Sequence, residues 1–97
     1  MNFEDRVKKA VQEMMLLGYN PKAFMSMTFK YGTVDAVKLL INSSKVTEGF
    51  EKLWELRRLD LSMENIIQEA EWKDLFSDDD REKAKKRLLE YGFEVKK

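Results

Sequence analysis

The sequence contains neither cysteine nor histidine. That removes disulfide staples, thiolate nucleophiles, imidazole bases and nearly every structural zinc arrangement before any position is considered. A cysteine-free domain of this size suits a reducing interior, so a cytoplasmic location is expected. Proline occurs once in the 97 residues and no Gly/Ser-rich stretch interrupts them, so a single domain spanning 1–97 is expected, without a linker. The longest unbroken apolar run covers residues 14–17, far short of a bilayer span, and the first five residues carry acid instead of a leader's apolar run. No membrane partner is expected. Net charge is also missing, with 18 Lys and Arg balancing 18 Asp and Glu. Residues 1–32 hold five basic and three acidic side chains, 33–61 five of each, and 62–97 eight basic and ten acidic. A duplex-binding domain usually draws its non-specific affinity from a basic face, and no segment here supplies one.

What the chain does have is a helical rhythm, with 43% apolar and 37% charged residues. Phe3, Val7, Ala10, Val11, Met14 and Met15 recur at spacings of three and four, which predicts an amphipathic helix over 2–17. Gly18, Gly32 and Gly92 each follow such a segment, where a residue able to adopt positive φ closes a helix. Asn20 and Pro21 predict a second helix over 21–31, with Asn20 as its cap and Tyr19 stapled onto Phe24. Thr33 is expected to cap a third, whose buried side is Val34, Val37, Leu40 and Ile41. A fourth begins near Ser44 or Thr47, carries Phe50, Leu53 and Trp54, and stops around Arg58. Leu61-Ser62-Met63-Glu64-Asn65-Ile66 signals a fifth helix to about Ala70, with Ser62 as cap, Glu64 complementing the dipole, and Leu61 packed on Ile66. Ser77 followed by Asp78, Asp79 and Asp80 opens the last helix; Ala84, Leu88 and Tyr91 face inward, and Gly92 with Phe93 forms a Schellman close. No segment alternates apolar and polar residues with β-branched enrichment. The expected fold is all-α, a compact orthogonal bundle of five to six short helices with no sheet.

Residues Gly49, Phe50, Leu53, Trp54, Glu55, Leu56, Arg58, Leu59, Asp60, Leu61, Ser62 and Glu64 stand in a pattern that resembles a small all-α bacterial module of unassigned function. Tyr31-Gly32 and Ala36 to Leu40 upstream, and Trp72, Leu75, Phe76 and the closing helix downstream, extend the resemblance from about Tyr19 onward. It implies a helical module that stands alone or as a tail on proteins that process nucleic acid or defend against phage, and it implies no catalytic residues. The pattern carries glycine where this chain has Arg57.

Several features admit both a functional and a bland reading. Trp54, Trp72, Phe50, Phe76 and Tyr31 form either an aromatic recognition surface or the core, and in a small domain large aromatics at helical spacing fill the interior. Arg57 and Arg58 beside Asp60 present guanidinium forks for a phosphate or carboxylate, or pair internally. Lys83, Lys86 and Arg87 make a basic stripe that nearby acids neutralise on a solvated face. The three consecutive aspartates lack the alternating ligands and turn glycine of a calcium loop. Glu69 and Glu71 are one of many acidic pairs, and nothing in the sequence marks them as desolvated. Met14, Met15, Leu16, Leu17, Phe24, Met25, Met27 and Phe29 exceed what one face of the first two helices can bury, and surplus apolar surface seeks a partner.

The expectation is therefore a non-catalytic protein-interaction or self-association module, with no cofactor, metal or catalytic residue. Met25, Met27, Trp54, Arg57 and Arg58 are its candidate partner-binding residues. The alternative is a nucleic-acid-associated accessory domain in which the helix after Gly32 follows its neighbour through a tight turn, as in a helix-turn-helix, and offers Lys38 and Asn42.

Overall fold

Asn2 opens the first helix, its side-chain oxygen accepting the Asp5 backbone N–H at 2.8 Å. In the computed structural model, which describes residues 1–94, α1 runs Phe3–Leu16, α2 Lys22–Tyr31, α3 Thr33–Ile41 and α4 Glu48–Glu55. A 3₁₀ turn, Leu59–Leu61, leads into the single turn of α5, Met63–Ile66. A second 3₁₀ turn, Ala70–Trp72, precedes α6, Asp78–Glu90. Every regular element among the described residues is helical, as expected, and they fold into a globule of 31 × 28 × 27 Å.

Local chemistry starts and stops most of these helices. Thr47, Ser62 and Ser77 cap α4, α5 and α6, accepting the N–H of Phe50, Asn65 and Asp80. Each leaves one fewer orphan donor at a helix start, worth about 1 kcal/mol. Two expected caps differ. Asn20 does not cap α2, which follows Pro21 with no side-chain cap, and Thr33 is the first residue of α3, so Gly32 occupies the capping position. The positive φ of Gly32, 88°, lets the chain turn so sharply between α2 and α3 that no residue is left over for a side-chain cap.

Schellman closures end three helices. At Gly18 and Gly92 the N–H groups of the glycine and of the next residue return to the preceding turn: Tyr19 to the Met14 carbonyl, Phe93 to that of Leu88. The third closure is at α4, where the Arg57 N–H donates to the Trp54 carbonyl and the Arg58 N–H to that of Leu53. Arg57 thus sits at φ 58°, the left-handed region that a β-carbon disfavours. Glycine is the residue this conformation prefers.

The core is one cluster drawn from every helix but α2. Phe3, Val7, Val11 and Met14 of α1 meet Val37 and Ile41 of α3, Phe50 and Leu53 of α4, Ile66 of α5, and Ala84 and Leu88 of α6. Phe3 is edge-on to both Trp72 (centroids 5.4 Å) and Phe76 (5.2 Å), which fastens the chain's start to the connection before α6. The buried Trp72 indole donates to Glu69 at 2.8 Å, and Arg6 of α1 grips the same carboxylate at 2.9 Å. Glu69 is therefore occupied by structural partners. The fifth helix is shorter than expected, because after Ile66 the N–H groups of Gln68 and Glu69 bond three residues back, to Asn65 and Ile66, in place of four.

Replacing Arg57 with glycine is expected to stabilise the fold by about 1 kcal/mol, by relieving the left-handed residue. Urea unfolding measures it, and Arg57→Val should move the midpoint the other way.

Candidate functional site

Of α2's ten residues none is buried, although Ala23, Phe24, Met25, Met27, Phe29 and Tyr31 are apolar or aromatic. Its principal contact is with α3. Phe24 leans on the core and Met27 is half-buried, while Met25 is 40% and Phe29 95% exposed. Fully burying a side chain such as phenylalanine is worth about 1.5–3 kcal/mol, and Phe29 realises almost none of it. Met15 and Leu16, at the end of α1, are also exposed.

A depression lies on each side of α2. The larger, about 990 Å³, runs between α2 and α4; Phe24, Met27, Leu40, Phe50, Leu53 and Met63 contribute to its walls, and Glu48, Glu51 and Glu55 to its α4 lip. Tyr19 lies in it, its phenol pushed above the usual value by burial and, secondarily, by the Glu48 charge. A β-carbon on Gly49 would stand 2.7 Å from the Tyr19 hydroxyl, so the early glycine of α4 is the space that this ring occupies. The smaller depression, between α1 and α2, is lined by Val7, Val11, Met25 and Phe29 among others.

The five candidate partner-binding residues do not form one site. Met27 lines the larger groove and Met25 the smaller one, on the opposite side of the same helix. Trp54 is half-exposed but stacks edge-on against Tyr91 (5.4 Å), which in turn is edge-on to Phe50 (5.0 Å). Arg57 is exposed at the strained closure of α4. Arg58 is engaged internally: Nε and Nη2 donate to Asp60 at 3.0 and 3.2 Å, and Nη2 also reaches Glu13 of α1 at 3.2 Å. Of the aromatics, Trp72, Phe50 and Phe76 are core, whereas Tyr31 is 47% exposed. On α3, Asn42 donates its amide to the Lys38 carbonyl and to Asp80, and the helix packs against α1, α2, α5 and α6.

Two charged residues read from sequence as surface groups lie in the interior. Glu64, expected to complement the α5 dipole, is 1% exposed, and Arg87, expected on the solvated stripe of α6, is 8% exposed. Arg87 Nη1 is 3.7 Å from Glu64 Oε2. The guanidinium also donates to the carbonyls of Leu40 (3.3 Å) and Ser43, at the end of α3. Glu64 Oε2 accepts no hydrogen bond. Burial pushes the Glu64 carboxyl up from 4.5 to about 7, with its own backbone N–H and the Arg87 charge opposing a larger rise. The period-3.6 pattern could have flagged both, since Glu64 stands between buried Met63 and Ile66, and Arg87 is three residues from Ala84.

Comparison with protein-family models, with curated proteins and with solved structures finds no match to this chain. Among the described residues no group of three acidic side chains is arranged to hold a metal ion, and no helix is long and apolar enough to cross a membrane.

Two outcomes follow from the buried groups. Glu64 is neutral in both states below about pH 4.5, and its ionisation penalises the folded state progressively as pH rises to about 7. Glu64→Gln is therefore expected to match the parent near pH 4 and to be more stable at pH 8, by up to about 3 kcal/mol in urea titrations. Gly49→Ala should forgo the roughly 1 kcal/mol that alanine brings to a helix, because Tyr19 obstructs it; in a Tyr19→Phe background, where the hydroxyl is gone, the gain should return.

Proposed function

We propose that this chain is a non-catalytic interaction module of the cytoplasm, and that it binds a protein partner or another copy of itself through α2. The observation that carries this reading is the mismatch within that helix: it is rich in apolar residues, and none of them is fully buried. A monomeric surface helix normally turns one apolar stripe inward and charge outward. Here Met25 and Phe29, four residues apart, leave the outer side apolar, and Leu16 and Met15 add to the exposed apolar surface at the end of α1. Adaptable thioethers beside an exposed aromatic suit a binding surface better than a solvated one. The absence of histidine and cysteine, and the structural use of Glu69 and Arg58, support recognition over chemistry.

The double variant Met25→Lys, Phe29→Lys tests the reading. Both side chains are exposed, so its unfolding midpoint is expected to stay within about 0.5 kcal/mol of the parent. Its association with a second copy or a foreign protein, read by light scattering and by co-purification, is expected to fall at least tenfold. Association that survives both substitutions unchanged would overturn the assignment of α2 as the binding surface.

A further inference from the structure

The larger groove has an acidic lip on α4, where three glutamates and Lys52 line it. On α4, Glu48, Glu51 and Glu55 are exposed and spaced by three and four, so they share one face above the apolar floor. Among the described residues none of the three has a cation within ion-pair distance, and Lys52 is the one basic residue between them. α2 carries the opposite charge, although of its two lysines Lys22 alone lines this groove. Across residues 14–34 the only charged side chains are Lys22 and Lys30, both exposed on α2. An apolar trough edged with carboxylates calls for an apolar helix edged with cations. The exposed side of α2 has that chemistry: Lys22, Met25, Phe29 and Lys30, without an acid.

The complementarity lies within one chain, and that selects the occupant. A two-fold axis makes an interface self-complementary, because whatever one protomer offers the other receives. Such an axis brings the basic α2 of each protomer to the acidic α4 lip of its partner, twice over.

We infer that the groove is filled by a second copy of this chain, docked about a two-fold axis with α2 of each protomer lying over the other's groove. Phe29 and Met25 meet the trough, and Lys22 and Lys30 meet the acidic lip of the partner. The inference rests on the reading of α2 as the binding surface, and it names both the partner and the second half of the site. Exposed ion pairs across such an interface are screened by salt, so the dimer weakens as ionic strength rises.

The experiment is sedimentation equilibrium from micromolar to millimolar chain, on the parent and on two charge-reversed chains. One carries Lys22→Glu and Lys30→Glu, the other Glu51→Lys and Glu55→Lys; all four sites are exposed, and circular dichroism checks that each chain folds. The parent is expected to move from monomer to dimer with concentration. Each reversed chain alone should dimerise at least tenfold more weakly, because like charges then face each other at both contacts. An equimolar mixture of the two should regain the dimer, since each basic helix again meets an acidic one. Failure of the mixture to associate more tightly than its components overturns the two-fold pairing. If the reversals change nothing while Phe29→Lys abolishes the dimer, the groove pairing falls and the α2 reading stands. If the parent stays monomeric and instead binds a synthetic leucine–lysine amphipathic helix, lost on Glu51→Lys with Glu55→Lys, the occupant is a foreign basic helix and the second copy is overturned. If no association depends on α2, both readings fail.

Discussion

The arrangement of α3, α5 and α6 depends on one buried guanidinium. Arg87 comes from α6, whose sequence is so polar that Ala84 and Leu88 are its only buried apolar side chains. Such a helix has little hydrophobic reason to dock. Arg87 supplies another: it donates to two carbonyls where α3 ends and lies against the Glu64 carboxylate of α5. The last carbonyls of a helix are electron-rich and lack intrahelical donors, so a cation there answers both needs. A buried charge pair is a poor source of net stability, and the Glu64 carboxyl gains from losing its charge, but an Arg87 drawn away from the α3 carbonyls would be a buried cation without acceptors. The three elements are thus held in register by the cost of separating them, and α3's end in turn fixes where the chain departs toward α4.

That constraint shapes the groove. The segment after Ser43 leads to the Thr47 cap, and α4 then carries its acids to the lip opposite α2. Gly49 admits the Tyr19 ring against the start of α4, so the turn between α1 and α2 is packed on the same wall. α2 is placed by its neighbours and contributes little to the core itself. A helix in that position can be mutated with modest effect on the fold.

Much of the local structure was legible in the residues. Thr47, Ser62 and Ser77 cap helices for the reason serines and threonines do so in isolation, and Gly18 and Gly92 close helices because only a residue without a β-carbon enters the left-handed region freely. The closure at Arg57 was harder to read, since arginine pays strain there and gives no glycine signal. The candidate site was legible in part. The surplus of apolar residues on the first two helices pointed to α2, but Met25 and Met27 turned out to serve opposite sides of it, and Trp54 and Trp72, alike by type, went to the surface and the core respectively. Asn20 and Thr33 satisfied the capping grammar and do not cap, because the tightness of each turn decided which residue came first in the helix.

The amino-acid sequence by itself determined that this protein is helical, where most helices begin and end, and that its apolar residues outnumber the positions one face can cover. Those properties follow from interactions within a few residues of each other: caps, φ preferences and the 3.6-residue period. Only the tertiary structure decided that Glu64 and Arg87, of ordinary surface type, would face each other in the interior, and that α2 would stand between two depressions with Phe29 in water. Which group a side chain meets is a property of what lies across the fold, 23 residues away for that ion pair, and no local pattern contains the far side.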